Sequence, residues 1–206
     1  MTSTVASPDR ERLLATIRAR GHWRVRILPE SADQRFTRPA DCRDAVAKSA
    51  VLLRGWDYPH MPAQNHEFHC QAPVQDGWEG LTDWERHREL WRLMRSGQFI
   101  HYLALWEDFA PEFHDQRILG VSGVVYSLLE MVEFARRLTE TAEYGDSVGF
   151  EVDLLDVRDR KLRTLDSRRM LDRDYTTAES SVALSRTLPL PLGEARGRST
   201  ARDLAI

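Results

Sequence analysis

The segment "QFIHYLALWED", residues 98–108, is apolar on both faces of an extended chain, and this feature constrains the fold more than any other. Alternate residues point to opposite sides of a strand. Apolar side chains therefore fall on one side at Phe99, Leu103 and Leu105, and on the other at Ile100, Tyr102, Ala104 and Trp106. A strand that is apolar on both faces must be covered on both sides. We expect it at the centre of a sheet.

The other elements are predicted from hydrophobic periodicity. "HWRVRIL" alternates and indicates a half-buried strand, whereas residues 39–55 and 120–140 carry apolar side chains at helical spacing. Residues 83–95 also fit a helix, because Thr82 and Glu85 form a T-x-x-E capping box and Gly97 is a suitable stop. Residues 149–166 indicate a hairpin, and residues 180–193 a weaker final strand.

These elements predict a single-domain α+β fold with a ferredoxin-like βαββαβ core. The helix at 83–95 would be an insertion, with an N-terminal helix before the core and a C-terminal β-hairpin extension after it. We expect residues 1–170 to form the α+β domain. Residues 171–206 would supply a strand and a poorly ordered tail, since the last dozen residues are polar and weakly patterned.

Composition excludes several classes of protein. The 206 residues carry a net charge of −3, which gives no overall attraction to nucleic acid or anionic lipid. No apolar run approaches the ~20 residues that span a bilayer, and the N-terminus lacks the apolar region of a signal peptide. Cys42 and Cys70 are too few for a disulfide framework. We therefore expect a cytoplasmic protein with free thiols and no membrane association.

The stretch "LLRGWDYPHMPAQNHEFHC", residues 52–70, is the strongest candidate for chemistry. His60, His66 and His69 are credible ligands for zinc, and a metal-dependent hydrolase or nuclease is one hypothesis. On an extended chain, however, positions 66 and 69 point to opposite faces. The Asp57–His60 spacing also suits a side-chain hydrogen bond within a turn. We expect no cofactor and interpret the stretch as a structural turn.

Other polar groups in the chain favour no particular reaction. Glu85, His87 and Glu89 do not share a face of the helix predicted at 83–95, so we interpret them as solvated surface. No serine lies in a G-x-S-x-G nucleophile elbow. The "GVSG" before the helix at 120–140 lacks the P-loop lysine.

Dense aromatic residues favour a binding surface. Five of the six tryptophans lie between residues 56 and 106. Large aromatics at this density are typical of a core or a protein interface. The predicted surface consists of Arg54, Trp56, Asp57, His60, Trp84, Trp91 and His101. A nucleic-acid-binding sheet is the alternative, using Arg24 and Arg26 on the first strand beside Tyr102.

These features together predict a non-catalytic interaction or regulatory module, such as an accessory subunit of a larger bacterial assembly. Its partner would be another protein or a second copy of the chain, with nucleic acid as a further possibility. A nucleic-acid-binding protein and a metal-dependent hydrolase or nuclease are the alternative functions.

Overall fold

A computed structural model describes residues 8–113, 116–164 and 171–191, which form a seven-stranded antiparallel sheet with helices packed on both faces. The strands of this sheet are β1 (His22–Pro29), β4 (His69–Val74), β5 (Gly77–Trp84), β6 (His87–Met94), β7 (Phe99–Ala104), β9 (Ser147–Leu155) and β11 (Ser181–Pro189). Their order across the sheet is β11-β9-β1-β7-β6-β5-β4. The apolar segment at 98–108 supplies β7, the fourth of the seven strands, so its predicted central position is confirmed.

Three α-helices and two small strand pairs complete the described fold. The helices are α1 (Arg10–Arg18), α2 (Pro39–Ser49) and α3 (Val121–Thr139). One pair joins β2 (Val51–Leu52) to β3 (Asp57–Tyr58), and the other joins β8 (Ile118–Gly120) to β10 (Lys161–Arg163) in parallel. Short 3₁₀ helices lie at Trp106–Asp108 and Pro111–Phe113. None of the helices in the described ranges combines the length and apolar character needed to cross a membrane.

The prediction of a ferredoxin-like core with an inserted helix is wrong, because the described fold is a seven-stranded antiparallel sheet with three α-helices. The predicted helix at 83–95 belongs to a β-hairpin of this sheet. β5 and β6 pair from Gly77–Met94 to Trp84–His87, and the chain turns at Glu85 with a φ of 44°. The "helical" spacing arises because β5 and β6 bury side chains on both faces, which hides the two-residue period. Strands β4 to β7 therefore form a meander of consecutive antiparallel neighbours.

The predicted C-terminal hairpin is also wrong. β9 lies between β1 and β11, whereas β10 leaves the sheet and pairs with β8. β11, from the predicted C-terminal segment, is an edge strand of the same sheet. The predicted disordered tail falls on residues 192–206, which lie outside the described residues.

Two separate cores cover the two faces of the sheet. On one face, α2 and α3 pack against alternate residues of the strands, including Val25, Trp91 and Phe150. On the other face, Leu13 and Ile17 of α1 pack on β4 to β7. Asp9 caps the N-terminus of α1, and its carboxylate accepts the backbone N–H of Arg12 at 3.1 Å. β7 is therefore covered on both sides, as its sequence requires.

Arg160 anchors the connection after β9 to the end of the sheet. Its side chain is 1 % exposed, and its Nη1 donates to Oδ1 of Asp108 at 2.7 Å and to the carbonyl of Ile118 at 3.0 Å. A buried guanidinium requires such partners. This pairing fixes the 3₁₀ helix that contains Trp106 and Glu107.

Candidate functional site

The carboxylate of Glu89, 1 % exposed on β6, is the centre of a buried polar network. Its Oε2 lies 2.8 Å from Nε2 of His101 on β7, and its Oε1 accepts the backbone N–H of His60 at 2.8 Å. Nε2 of His87 lies 3.3 Å from the same Oε1. Burying a carboxylate is unfavourable unless it is hydrogen-bonded or paired. Here those bonds join two neighbouring strands to the loop that follows β3.

The pKa values of Glu89 and Tyr58 follow from this burial. Burial alone raises the pKa of Glu89, but attraction to His87 and the hydrogen bond with His101 outweigh it and hold that pKa well below its usual range. Burial, with the nearby charges of Glu89 and Glu130, raises the pKa of Tyr58 well above its usual value. Tyr58 therefore keeps its proton.

The hydroxyl oxygen of Tyr58 lies 2.9 Å from Nδ1 of His101, so the hydroxyl can donate its proton to that nitrogen when the imidazole is neutral. In a neutral imidazole the remaining proton is then on Nε2, where Glu89 accepts it. Every polar atom of this chain of three side chains has a partner of the right kind, so the chain is suited to holding β3 and the sheet together.

Further hydrogen bonds fix the loop between residues 56 and 61. Oδ1 of Asp57 lies 2.6 Å from Nδ1 of His60, and Oδ2 accepts the backbone N–H of Met61 at 2.8 Å. The indole N–H of Trp91 donates to the carbonyl of His60 at 2.9 Å. Trp56 then packs on His60 with ring centroids 4.3 Å apart. The loop is therefore held rigidly in the position that presents Trp56.

A cavity of about 240 Å³ opens beside this loop, between the ends of β1 and β7 and the first turns of α3. Trp23, Trp56 and Trp106 form much of its wall. An open groove continues from it across Trp56 and Trp84, whose rings stack at 5.5 Å. A concave site with aromatic walls and a few polar groups is typical of a small-molecule site.

Most of the charged side chains on this lining already have partners. Arg54 binds both carboxylate oxygens of Glu130, with Nε to Oε1 at 3.1 Å, and also contacts Oγ of Ser127 at 3.3 Å. Both oxygens of Asp57 are used within its own loop. Glu107 differs, because its Oε2 has no hydrogen-bond partner among the described residues. The indole N–H of Trp56 is also without one.

The residues of the predicted binding surface divide between the cavity and the core. Arg54, Trp56 and Asp57 line the cavity, and Trp84 lies at the adjoining groove, where it is 38 % exposed. The other predicted members contact the cavity indirectly: His60 supports Trp56, while Trp91 and His101 are fully buried beneath the loop. Trp91 and His101 therefore position this surface without forming part of it.

The residues of the nucleic-acid alternative lie near one another but are paired with other groups. Arg24 is opposite Tyr102 in the β1–β7 register, as expected for adjacent strands. Arg24 binds Asp153 at 2.9 Å, and Arg26 binds Glu151. Tyr102 is buried under α1 and accepts a hydrogen bond from Arg18. The arginines on this face are therefore neutralised by β9.

The three histidines of the metal hypothesis are neighbours. The ring centroids of His60 and His69 lie 5.5 Å apart, and those of His66 and His69 lie 5.7 Å apart. Burial, followed by the charges of His60 and His66, lowers the pKa of His69. Within residues 8–113, 116–164 and 171–191, no group of three or more His, Cys, Asp or Glu could hold a metal ion. The described residues therefore do not support the metal hypothesis.

Sequence reasoning missed Glu89, Trp106 and Glu107 as members of the site. The helical pattern of residues 83–95 predicts a solvated position for Glu89, whereas the structure places it in the core. Trp106 and Glu107 directly follow the central strand. Site residues are often on loops that follow the strands of a rigid sheet. The position of Trp106 and Glu107 could therefore have indicated them as members of the site.

No family model matches the sequence, and comparisons with curated proteins and with solved structures find no significant match.

Proposed function

We propose that this protein is a non-catalytic regulatory module that binds a small ligand in the cavity beside Trp56. The observation that carries the proposal is the cavity itself: about 240 Å³, walled by three tryptophans and bordered by a loop that is already hydrogen-bonded in place. A preorganised site needs little ordering when it binds its ligand. That property suits a sensor whose output depends on occupancy.

Apart from Glu107 and His87, the polar groups of the described lining are in a state that supports binding over catalysis. A general acid or base, or a nucleophile, must be able to reach the reacting atoms. Asp57, Glu130 and Tyr58 on the lining are engaged in hydrogen bonds within the protein. Ser127 accepts a hydrogen bond from Arg54 and has no neighbouring base among the contacts described. These groups hold the cavity in shape.

A thermal-denaturation screen of small amines, carboxylic acids, alcohols and neutral aromatics tests this proposal. A ligand present at a hundred times its Kd stabilises the folded state by about 2.7 kcal/mol, which raises the Tm of a chain of this size by roughly 5–10 °C. We expect at least one compound to do this for the wild-type protein.

Gly123 offers a matched pair of variants for the screen. A Cβ at this position would lie 3.8 Å from both Glu107 Oε1 and Trp106 Nε1, an ordinary contact, so Gly123→Ala fits. Gly123→Leu extends into the cavity and should abolish the shift, while Gly123→Ala retains part of it. A screen without any stabilising compound, or one in which the leucine variant responds like the wild type, contradicts the proposal.

A protein partner is the second candidate, and exposed apolar residues next to the cavity favour it. Leu52 and Leu53 are 67 % and 53 % exposed, and Tyr126 on α3 lies under the guanidinium of Arg54. Such groups are typical of an interface when they are contiguous. Light scattering across a range of concentrations tests for self-association. A Leu53→Asp variant should remove any dimer, and a strictly monomeric wild type excludes a homo-oligomer.

A further inference from the structure

The carboxylate of Glu107 is buried, and only one of its two oxygens accepts a hydrogen bond from the described residues. Glu107 is 2 % exposed, and its Oε1 accepts the backbone N–H of Gly120 at 2.9 Å. Its Oε2 is buried with no hydrogen-bond partner in the described part of the chain, although Glu107 lines the cavity. Leaving an acceptor of this kind unsatisfied in the interior is costly. A ligand that donates to Oε2 would recover that cost.

The charge of the cavity favours a cation as that ligand. Arg54 is the guanidinium of the lining, and Glu130 neutralises it through both oxygens. Asp57 and Glu107 add two further carboxylates, of which Glu107 keeps an unused oxygen. An anion entering this space would meet acids and no unpaired cation among the described lining residues. A positive ligand would be attracted.

The aromatic wall favours the same charge. The faces of tryptophan rings carry a negative quadrupole potential and attract ammonium and guanidinium groups. Trp56 and Trp106 lie on the lining together with Glu107. A quaternary ammonium would satisfy the rings but could not donate to Oε2, so the ligand needs an N–H group.

We propose that the cavity binds a small organic cation carrying a primary ammonium or guanidinium group, with Glu107 as its hydrogen-bond acceptor and Trp56 and Trp106 along its sides. This rests on the proposed function, because it names the ligand class of the same cavity. A volume of about 240 Å³ is below the ~300–1,000 Å³ of pockets for drug-sized ligands, so the ligand is small. A hydroxyl or carbonyl oxygen on it would accept from the indole N–H of Trp56.

Isothermal titration of the 206-residue protein with four probes tests this assignment. The probes are n-butylammonium, n-butylguanidinium, tetramethylammonium and the neutral n-pentanol. We expect the first two to bind at least about tenfold more tightly than the last two, because a hydrogen bond to a charged group contributes ~1.5–3 kcal/mol. Equal affinity for n-pentanol and n-butylammonium overturns the proposal, and this comparison requires no variant.

A charge-neutral variant of Glu107 provides a second test of the assignment. Glu107→Gln keeps the acceptor for Gly120 but removes the charge, and it should weaken n-butylammonium binding about tenfold or more. Glu11→Gln is the matched control, since it makes the same charge change at an exposed residue of α1, on the opposite face of the sheet. Unchanged affinity in Glu107→Gln, with the fold intact, refutes the assignment.

The pH dependence of binding gives a third readout. The pKa of Glu107 is raised, chiefly by burial and also by Asp108, while the N–H of Gly120 and the charge of Arg160 oppose the shift. Lowering the pH therefore protonates Glu107 and should weaken n-butylammonium binding, by up to about tenfold per pH unit below that pKa. The ammonium itself stays charged throughout, since its pKa is ~10.

Other titratable groups near the cavity act on the same measurement. The charged and titratable groups around Glu107 are Asp108 and Arg160 behind it, and Arg54, Asp57, His87 and Glu130 on the cavity lining. The effect of these other groups on binding persists in Glu107→Gln. The part of the pH dependence that disappears in the variant therefore belongs to Glu107, and its complete persistence contradicts the proposal.

The outcomes separate this inference from the proposed function. Stabilisation in the screen by carboxylic acids or neutral compounds alone overturns the cation assignment while the cavity remains a binding site. A screen in which nothing binds overturns both. Nα-acetyl-lysine methylamide distinguishes two sources of the ammonium group. Binding as tight as that of n-butylammonium indicates a lysine side chain of a partner, and much weaker binding indicates a free amine.

Discussion

Replacing Glu89 with glutamine tests whether the buried network holds the cavity loop. The glutamine side chain has nearly the same shape but carries one acceptor and one donor group. Glu89 accepts from two donors, the backbone N–H of His60 and Nε2 of His101. One of these donors must therefore face an NH₂ group in the variant. An unsatisfied buried donor costs ~1–3 kcal/mol, and a lost bond to a charged acceptor adds to this.

We expect Glu89→Gln to lower the free energy of unfolding by about 2–4 kcal/mol, or roughly 5–15 °C in Tm. Urea titration followed by tryptophan fluorescence measures the change. Glu85→Gln, in the exposed turn of the same hairpin, is the matched control and should stay within about 0.5 kcal/mol of the wild type. A loss below about 1 kcal/mol in Glu89→Gln would show that the network is not what holds the loop.

The difference in stability between the wild type and Glu89→Gln should also depend on pH. The pKa of Glu89 is lower in the folded protein than in the unfolded chain, where it is ~4.3. Its contribution to stability is therefore complete above that value and is lost as the pH falls toward the folded pKa. The stability difference between wild type and Glu89→Gln should shrink below about pH 4. A difference that grows on acidification contradicts this sign.

Three further changes test the packing. Gly80→Ala places a Cβ 2.3 Å from the indole of Trp91 and should cost about 1–3 kcal/mol in a urea titration, whereas an unchanged midpoint refutes the overlap. Arg160→Ala removes the arginine partner of the Asp108 carboxylate and should lower the free energy of unfolding by about 3–5 kcal/mol. The control Arg158→Ala changes an exposed arginine and should lower it by ~0.5 kcal/mol or less. Burial raises the pKa of Cys42 to about 12, so its iodoacetamide reaction should be roughly a thousandfold slower than in denaturant, and fast labelling of the native protein contradicts this burial.

Sequence periodicity predicts the elements that are apolar on one stripe or on both faces. β1, β7, α2 and α3 all form close to the predicted positions. The hairpin of β5 and β6 is different, because β6 contains good helix formers such as Glu89, Leu90 and Met94. The chain also turns at Glu85 instead of the Asn-Gly that usually marks a two-residue turn. The capping-box pattern of Thr82 and Glu85 therefore predicts a helix where the structure contains a hairpin.

The site was predictable in its local part and hidden in its long-range part. The spacing of Asp57 and His60 indicates a turn with a side-chain hydrogen bond, and the structure contains one at 2.6 Å. The partners of Arg54 and His101 lie 76 and 12 residues away, at Glu130 and Glu89. Such pairs depend on the sheet register and on how α3 packs against the sheet. Neither can be predicted from a short segment of sequence.

β1 bears on the order in which the chain folds. Both of its neighbours come much later in sequence: Trp23 pairs with Leu103 on one side and with Leu154 on the other. Strands β4 to β7 each pair with the next, so they close short loops and can assemble first, while β1 must wait for distant segments at a larger entropic cost. During synthesis on the ribosome, β1 emerges before β7 and β9, and it has no strand on its β9 side until Leu155 has left the exit tunnel. For that interval it is an unpaired edge, the kind of surface that chaperones cover.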